Sequence, residues 1–127
     1  MGMAICFDMD YPILIHQAKS ADIMLVPVMD TKMIADFHTQ AAAMRGIENG
    51  FSLVRQSNLG SSIASDYLGR PLAYQNYFRT TPRVMFSDVP VEGVSTVYGA
   101  TGEIFLWFDM ALIPLIFLVH IIRKRRA

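Results

Sequence analysis

The chain has few of the residues that build disulfides or zinc sites, because Cys6 is its only cysteine. A single thiol excludes an intrachain disulfide framework and any CxxC zinc motif, and we expect neither a metal nor another cofactor. The chain also has no excess of positive or negative charge, since eleven Lys and Arg residues balance eleven Asp and Glu residues. No overall field therefore favours nucleic acid as a partner. With 127 residues, the chain has room for one small domain.

Apolar residues, in contrast, are abundant and concentrated near the C-terminus. Residues 104–122 contain one formal charge, Asp109, over a length that as a helix matches the hydrocarbon core of a bilayer. Trp107 lies near one end of the run, and a cluster of Lys and Arg residues follows the other end. This pattern predicts a transmembrane helix over residues 103–122 and a basic cytoplasmic tail over residues 123–127.

The alternative for this segment is a buried core helix with a basic tail, which Asp109 and Pro114 favour. Asp109 lies about one turn from the start of the run. We therefore interpret it as an interfacial carboxylate rather than as a functional site within the membrane. If the helix spans a membrane, the positive-inside rule places residues 1–102 on the extracytoplasmic side.

Residues 1–102 read as one partial α/β domain. Residues 21–28 form a near-continuous apolar run, which is typical of a central strand buried on both faces. The helix predicted over residues 37–49 is based on a periodic set of apolar side chains, with Asp36 as N-cap and Asn49-Gly50 as its end. The repeating residues are Phe37, Ala41, Met44 and Ile47. Further strands are expected at residues 3–7, 51–56, 62–67, 72–74 and 83–91, and a further helix at residues 13–19.

Several short segments occur in a characteristic order along the chain. They are Ile5-Cys6-Phe7-Asp8, Tyr11-Pro12, Ala21-Asp22-Ile23, Val26-Pro27-Val28-Met29-Asp30, His38, Arg45-Gly46-Ile47-Glu48-Asn49-Gly50, Arg55, Asn58-Leu59-Gly60-Ser61-Ser62 and Asp66-Tyr67-Leu68-Gly69. In this order they resemble the C-terminal half of the carbon–nitrogen hydrolase (nitrilase) superfamily. The similarity is greatest to its membrane-anchored apolipoprotein N-acyltransferase branch.

The resemblance implies the C-terminal half of an α-β-β-α sandwich, followed here by the C-terminal transmembrane helix. It also implies that Cys6 is a nucleophile at a strand-to-helix elbow. In the family a glutamate base and a lysine lie well upstream of the cysteine, whereas only five residues precede Cys6. We therefore expect this chain to be inactive alone. Asp8 matches an acidic position of the acyltransferase branch, and as a strand residue two positions along it would share a face with Cys6. Its alternative role is that of a turn residue.

Three further residues are candidates for the site. His38, in the first turn of the predicted helix, either packs structurally or positions a loop at the substrate pocket, or it is a base for Cys6. Asp30 closes the second strand at the edge where sites on open sheets gather, and we expect it to line the substrate pocket. Lys32, in the intervening loop, is the nearest substitute cation, although a solvated loop lysine is the simpler interpretation.

Other conspicuous residues have structural explanations. Arg45 and Glu48 are three positions apart on the predicted helix and are expected to form an ion pair. Residues 58–62 look like a phosphate-binding loop, but no dinucleotide or P-loop fingerprint accompanies them, so a tight turn between strands is the better interpretation.

By resemblance, the expected activity is acyl transfer from a phospholipid donor to a lipoprotein's N-terminal amine, through a Cys6 thioester. The expected location is a bacterial cell membrane, with a single pass. The expected partners are the membrane, the donor, the acceptor and a missing N-terminal half. The alternative is a non-catalytic membrane-anchored remnant, or a split half that binds a partner chain.

Overall fold

The computed structural model describes residues 1–81 and 83–126, and in side-chain detail excludes four residues of the last helix. Five strands form one sheet in the order β1-β2-β3-β4-β5. They are β1 (Gly2–Met3), β2 (Ile23–Met29), β3 (Ser52–Asn58), β4 (Ser61–Ser65) and β5 (Pro71–Asn76). The α-helices are α1 (Pro12–His16), α2 (Ala35–Asn49), α3 (Val97–Thr101) and α4 (Ile104–Arg126). A single-turn 3₁₀ helix, Cys6–Asp10, follows β1 and is called the elbow helix below.

The sheet is parallel in its first half and antiparallel in its second. Strands β1, β2 and β3 run in the same direction, with Met24 beside Leu53 and Val26 beside Arg55. Strands β4 and β5 then return as an antiparallel hairpin. Because the first three strands are parallel, their carboxyl ends meet at one edge, where the elbow helix and the loop before α2 also begin.

The sheet has one covered face and one partly open face. Met24, Val26 and Val28 point towards the helices and are buried. The alternate residues of the same strand are not, and Met29 is 66% exposed. The prediction that this strand is buried on both faces is therefore wrong for the described residues, because the helices cover only one face.

Residues 83–92 cross part of the second face without forming the strand predicted over residues 83–91. There, the Ser52 hydroxyl donates to the Pro90 carbonyl oxygen at 3.0 Å. Pro90 has no N–H to donate to a neighbouring strand. The segment also lies over the face of the sheet rather than beside an edge strand, so it has no strand to pair with there. Apolar alternation alone therefore did not produce a strand.

Helix α2 begins at Ala35 rather than at Phe37 and ends at Asn49 as predicted. Most of the apolar residues on which the prediction was based do not face the sheet. The apolar residues Phe37, Met44 and Ile47 are exposed, by 70%, 53% and 41%. The face against the sheet carries smaller side chains, Ala35, Thr39, Ala42, Gly46 and Asn49. A Cβ on Gly46 would lie 3.1 Å from the Phe51 carbonyl oxygen, so close approach of helix and sheet requires small residues there.

The ends of α2 show one correct and one wrong prediction. The helix starts at Ala35 with Ile34 as N-cap, so Asp36 is inside the helix rather than capping it. Its carboxylate instead accepts hydrogen bonds from Ser61 Oγ at 2.8 Å and from the Tyr74 hydroxyl at 3.2 Å. At the other end Gly50 adopts φ 78° and closes the helix as predicted.

Helix α4 is the one helix within residues 1–81 and 83–126 that is long and apolar enough to cross a membrane. Its apolar stretch Ile104–Lys124 has a mean hydropathy of 2.2 and is not buried against the rest of the chain. The helix continues through the basic residues Arg123 and Lys124 to Arg126, while Ala127 of the predicted tail lies outside the described residues.

Substituting Gly50 should be more damaging than substituting Gly69. Both have positive φ, at 78° and 75°, so alanine is strained at either position. A Cβ on Gly50 would lie 1.8 Å from the Val94 carbonyl oxygen, whereas one on Gly69 meets the movable end of Ile47. We expect G50A to lower the free energy of unfolding by at least about 1 kcal/mol more than G69A, in urea titrations of the detergent-solubilised chain followed by circular dichroism. Equal losses would contradict this packing.

Asp66, in the turn between β4 and β5, should make stability depend on pH in acid. Burial alone would raise its pKa, but hydrogen bonds from the Arg70 side chain and from the Arg70 and Leu68 backbone N–H groups outweigh burial and hold the pKa below 3.8. A lowered folded-state pKa stabilises the fold above the unfolded-state value, and this contribution is lost as the pH falls through the folded-state value.

We therefore expect D66N to destabilise the chain by about 1–3 kcal/mol near neutral pH and by less in acid, below the unfolded-state pKa. Urea titrations at two pH values measure the difference. D88N, at an exposed aspartate, is the control and should change stability by less than about 0.5 kcal/mol at both. A D66N deficit that does not shrink in acid would contradict this assignment.

Candidate active site

The backbone turns sharply at Cys6. Strand β1 ends at Met3, so the prediction of a strand over residues 3–7 is wrong beyond that point. Cys6 begins the elbow helix with φ 52°, in the left-handed region that residues other than glycine seldom adopt. Such a conformation costs about 1–3 kcal/mol and persists only where surrounding contacts impose it. The left-handed residue therefore places the thiol at the end of a strand, at a strand-to-helix turn.

Asp8 stabilises this turn through hydrogen bonds within it. Its Oδ2 accepts the Ile5 backbone N–H at 2.8 Å, and its own N–H donates to the Ile5 carbonyl oxygen at 3.0 Å. The elbow is helical, so the expectation that Asp8 shares a strand face with Cys6 is wrong. The carboxylate is instead directed back at the start of the turn, where it holds the backbone that presents the thiol.

The Cys6 thiol faces the carboxyl end of β2. Its Sγ lies 4.0 Å from the Met29 carbonyl oxygen, which is a long and weak contact for a sulfur donor. Cys6 is partly exposed. The thiol therefore stands at the edge where the parallel strands end, accessible to a reactant.

Asp30, the next residue after Met29, is held by the most deeply buried charged contact of the site. Its Oδ2 accepts hydrogen bonds from Arg55 Nη2 at 2.7 Å and from Ser57 Oγ at 2.8 Å. The side chains of Arg55 and Asp30 are 2% and 1% exposed. Arg55 Nη1 also donates to Thr39 Oγ1 and to the Ser61 carbonyl oxygen, at 2.9 and 2.7 Å. One guanidinium thus joins the end of β2, β3, α2 and the first residue of β4.

The turn between β3 and β4 closes tightly over this pair. It has the predicted inter-strand form, with Leu59 at φ 61°. A Cβ on Gly60 would lie 2.4 Å from Ser57 Oγ and 2.6 Å from Asp30 Oδ2. The glycine is required because the turn backbone packs directly against the buried carboxylate.

His38 lies in the first turn of α2, as predicted, between two carboxylates. Its Nδ1 is 3.3 Å from Asp30 Oδ1, and its Nε2 is 3.8 Å from Asp10 Oδ2. Phe7 packs edge-on against the imidazole, with ring centroids 5.2 Å apart. Since both ring nitrogens face carboxylates, this arrangement does not favour His38 as the base that takes the Cys6 proton.

The other candidates have simpler surroundings. Arg45 and Glu48 form the expected ion pair on α2. The Lys32 ammonium lies 5.6 Å from the centroid of the Phe78 ring. Among residues 1–81 and 83–126, no group of three or more His, Cys, Asp and Glu side chains is arranged to hold a metal ion.

The sequence did not identify Arg55, Ser57 or Asp10 as parts of the site. A signal for Arg55 was present, because Leu53, Arg55 and Ser57 alternate along one strand and fall on the same face. The identity of that face depends on which side the helices cover, and a single strand pattern does not decide this.

The fold is part of a carbon–nitrogen hydrolase (nitrilase) fold, as the sequence resemblance predicted. A Saccharomyces cerevisiae member of branch 10 of the nitrilase superfamily superposes with a TM-score of 0.53 and 25% identity, covering 58% of this chain and 32% of that one. The Caenorhabditis elegans NitFhit protein gives a TM-score of 0.54 at 23% identity, over 59% of this chain and 21% of that one.

Another neighbour is an amidase variant from Nesterenkonia sp., with a TM-score of 0.52 and 21% identity over 58% of this chain and 32% of that one. Its active-site cysteine carries the acetamide moiety of fluoroacetamide.

By sequence, the chain is similar to the apolipoprotein N-acyltransferase of Rhodopseudomonas palustris. The two are 34% identical over 88 residues, which are 69% of this chain and 16% of that relative. The chain thus matches about a sixth of the length of this curated relative. No protein-family profile matches the chain.

Removing the charge of Asp30 should lower the free energy of unfolding far more than removing the charge of Glu48. D30N leaves the Arg55 guanidinium buried without a counter-charge, for which we expect a loss of about 3–5 kcal/mol in the free energy of unfolding. E48Q is the matched control, because the Arg45–Glu48 side chains are 18% and 24% exposed, and it should cost less than about 1 kcal/mol. Urea titration of the full chain measures both, and a D30N loss no larger than that of E48Q would contradict the assigned role of the pair.

Proposed function

We propose that the chain supplies the cysteine half of a nitrilase-type acyl-transfer site, with Cys6 as the nucleophile. The observation that carries the proposal is the position of Cys6, in a left-handed residue where β1 turns into the elbow helix at the carboxyl edge of the sheet. A covalent adduct on the active-site cysteine of the Nesterenkonia amidase, with which this chain shares part of its fold, supports this role.

The proposed reaction has two steps. A general base, the glutamate implied by the family resemblance, takes the Cys6 thiol proton, and the thiolate attacks the ester carbonyl of a phospholipid. The carbon–oxygen bond breaks, and the lysophospholipid leaves with that proton. The N-terminal amine of a lipoprotein then attacks the thioester, and the carbon–sulfur bond breaks. An amide forms, and the amine's proton passes to the same group.

Cys6 requires partners that its own surroundings do not provide. A thiolate needs a base to form, and the tetrahedral oxyanion needs a positive or hydrogen-bond-donating group. The contact described for the Cys6 Sγ is with the Met29 carbonyl oxygen, 4.0 Å away, which neither removes a proton nor donates to an oxyanion. We propose that the glutamate and lysine implied by the family resemblance act on Cys6 from outside this chain.

The partly open face of the sheet favours such a partner. Pro27, Met29 and Gln56 are exposed on it, next to the edge that carries Cys6. A single sheet with helices on one face leaves its other face to be covered by a second layer. The proposed architecture is therefore half of an α-β-β-α sandwich, with the second half supplied by another polypeptide segment.

The proposed location is a bacterial cell membrane, with α4 as the anchor and the domain on the extracytoplasmic side. The length and composition of α4 support a membrane segment, and the basic residues at its C-terminal end support the orientation. A second candidate function is that of a non-catalytic, membrane-anchored half that binds a partner chain. The partly open face of the sheet supports this second function equally.

The test is acyl transfer from phospholipid to a lipopeptide in detergent micelles. We expect the full chain alone to show no transfer, and transfer to appear when it is combined with a polypeptide carrying the N-terminal part of an apolipoprotein N-acyltransferase. C6A should abolish this activity, and E48Q, at the partly exposed ion pair of α2, should retain it. Transfer by the chain alone would overturn the half-site proposal. Binding of the second polypeptide without transfer would favour the non-catalytic function.

A further inference from the structure

We propose that His38 is a positioning residue for Cys6, tying the elbow helix to the buried Arg55–Asp30 pair through Asp10. The inference rests on the proposed function in that it assumes Cys6 to be the reacting group. The sequence suggested packing, loop positioning, pocket lining or base catalysis for this histidine, and the proposal specifies which segment it positions and through which contacts.

The two ring nitrogens of His38 contact carboxylates from different parts of the chain. Nδ1 meets Asp30, which follows β2, at 3.3 Å, and Nε2 meets Asp10, which ends the elbow helix, at 3.8 Å. The first contact is within hydrogen-bond range, and the second is a longer contact between an imidazole nitrogen and a carboxylate oxygen. The imidazole therefore lies between a buried carboxylate at the end of β2 and a carboxylate of the elbow helix.

The fixed end of this link is rigid. Asp30 receives Arg55 and Ser57 on its other oxygen, and all three residues are at least 95% buried. A buried, multiply bonded carboxylate resists displacement because moving it would leave a charge unpaired. His38 thus has a firm anchor on the sheet side.

At the other end of this link, the elbow helix contacts His38 through the residue next to the thiol. Phe7 follows Cys6 and packs edge-on against His38, while Asp10 closes the same helical turn. Both contacts fall on one ring that is 14% exposed. Because the elbow has only five residues, fixing Phe7 and Asp10 restricts Cys6 at its first position.

Other ionisable groups around the elbow are engaged elsewhere. Asp8 accepts the Ile5 N–H, Asp36 accepts Ser61 and Tyr74, and the Lys32 ammonium lies over Phe78. Arg55 reaches His38 only through Asp30. His38 is therefore the side chain that the described contacts place between Asp10 and the core.

Hydrogen exchange of the elbow amides tests the link. In the Asp8 and Tyr11 N–H groups, which donate to the Ile5 and Asp8 carbonyl oxygens, we expect exchange to accelerate roughly fivefold in both H38Q and D10N. The H38Q/D10N double variant should be no faster than H38Q, since D10N removes a contact that H38Q has already removed. D36N, on the same helix but bonded to Ser61 and Tyr74, is the control and should leave these amides unchanged.

Two further readouts separate positioning from a general structural role. Iodoacetamide alkylation of Cys6, the chain's single thiol, should accelerate in H38Q and D10N, because a loosened elbow exposes the sulfur. The thermal midpoint of D10N should stay within about 2 °C of the parent chain, since Asp10 lies at the rim. H38N, which can keep a donor near Asp30 but does not reach Asp10, should match D10N.

Exchange and alkylation rates within twofold of the parent in both H38Q and D10N, or additive effects in the double variant, would overturn the positioning role. The positioning role and the proposed function can be overturned independently. Coupled effects on the elbow without acyl transfer would overturn only the function, whereas acyl transfer unaffected by D10N and by H38N would overturn only the positioning role.

Discussion

The buried ion pair between Arg55 and Asp30 is the contact on which the candidate site depends. Arg55 extends from β3 to the carboxyl end of β2, and its remaining N–H groups bind α2 and the first residue of β4. Burying two charges is costly unless each is fully paired, so the surrounding backbone must hold these distances. The same constraint explains the glycine at position 60, where the turn touches the carboxylate. Four elements thus meet at one pair, directly beside the residues that face Cys6.

The partial nitrilase fold explains why a small domain carries such a site. The elbow presents Cys6 at the edge where parallel strands end, and Asp8 holds the turn from within. Both nitrogens of His38 face carboxylates. In the proposed function this chain presents and holds the nucleophile, and we propose that groups from another polypeptide segment activate it.

The order of strands and helices followed from the sequence where the local signal was strong. An apolar run predicted β2, and helical periodicity with Asn49-Gly50 predicted α2 and its end. The orientation of α2 was not predictable, because the exposed apolar residues repeat as regularly as a core face while the contact face uses alanine and glycine. Asp30 and His38 were predicted as site residues from their positions, but Arg55, which binds Asp30, was not, since a strand pattern does not say which face is covered. The strand expected at residues 83–91 failed because strand pairing depends on neighbours that are distant in sequence.

The central claim is that Cys6 forms an acyl-enzyme once its site is completed. The direct measurement is the intact mass of the full chain after incubation with phospholipid and the complementary N-terminal polypeptide, followed by fragmentation to locate any added acyl group. We predict one acyl group on Cys6, released by neutral hydroxylamine as a thioester and absent from C6A. An acyl group on another residue, or an unmodified Cys6 in a complex that still transfers acyl groups, would contradict it.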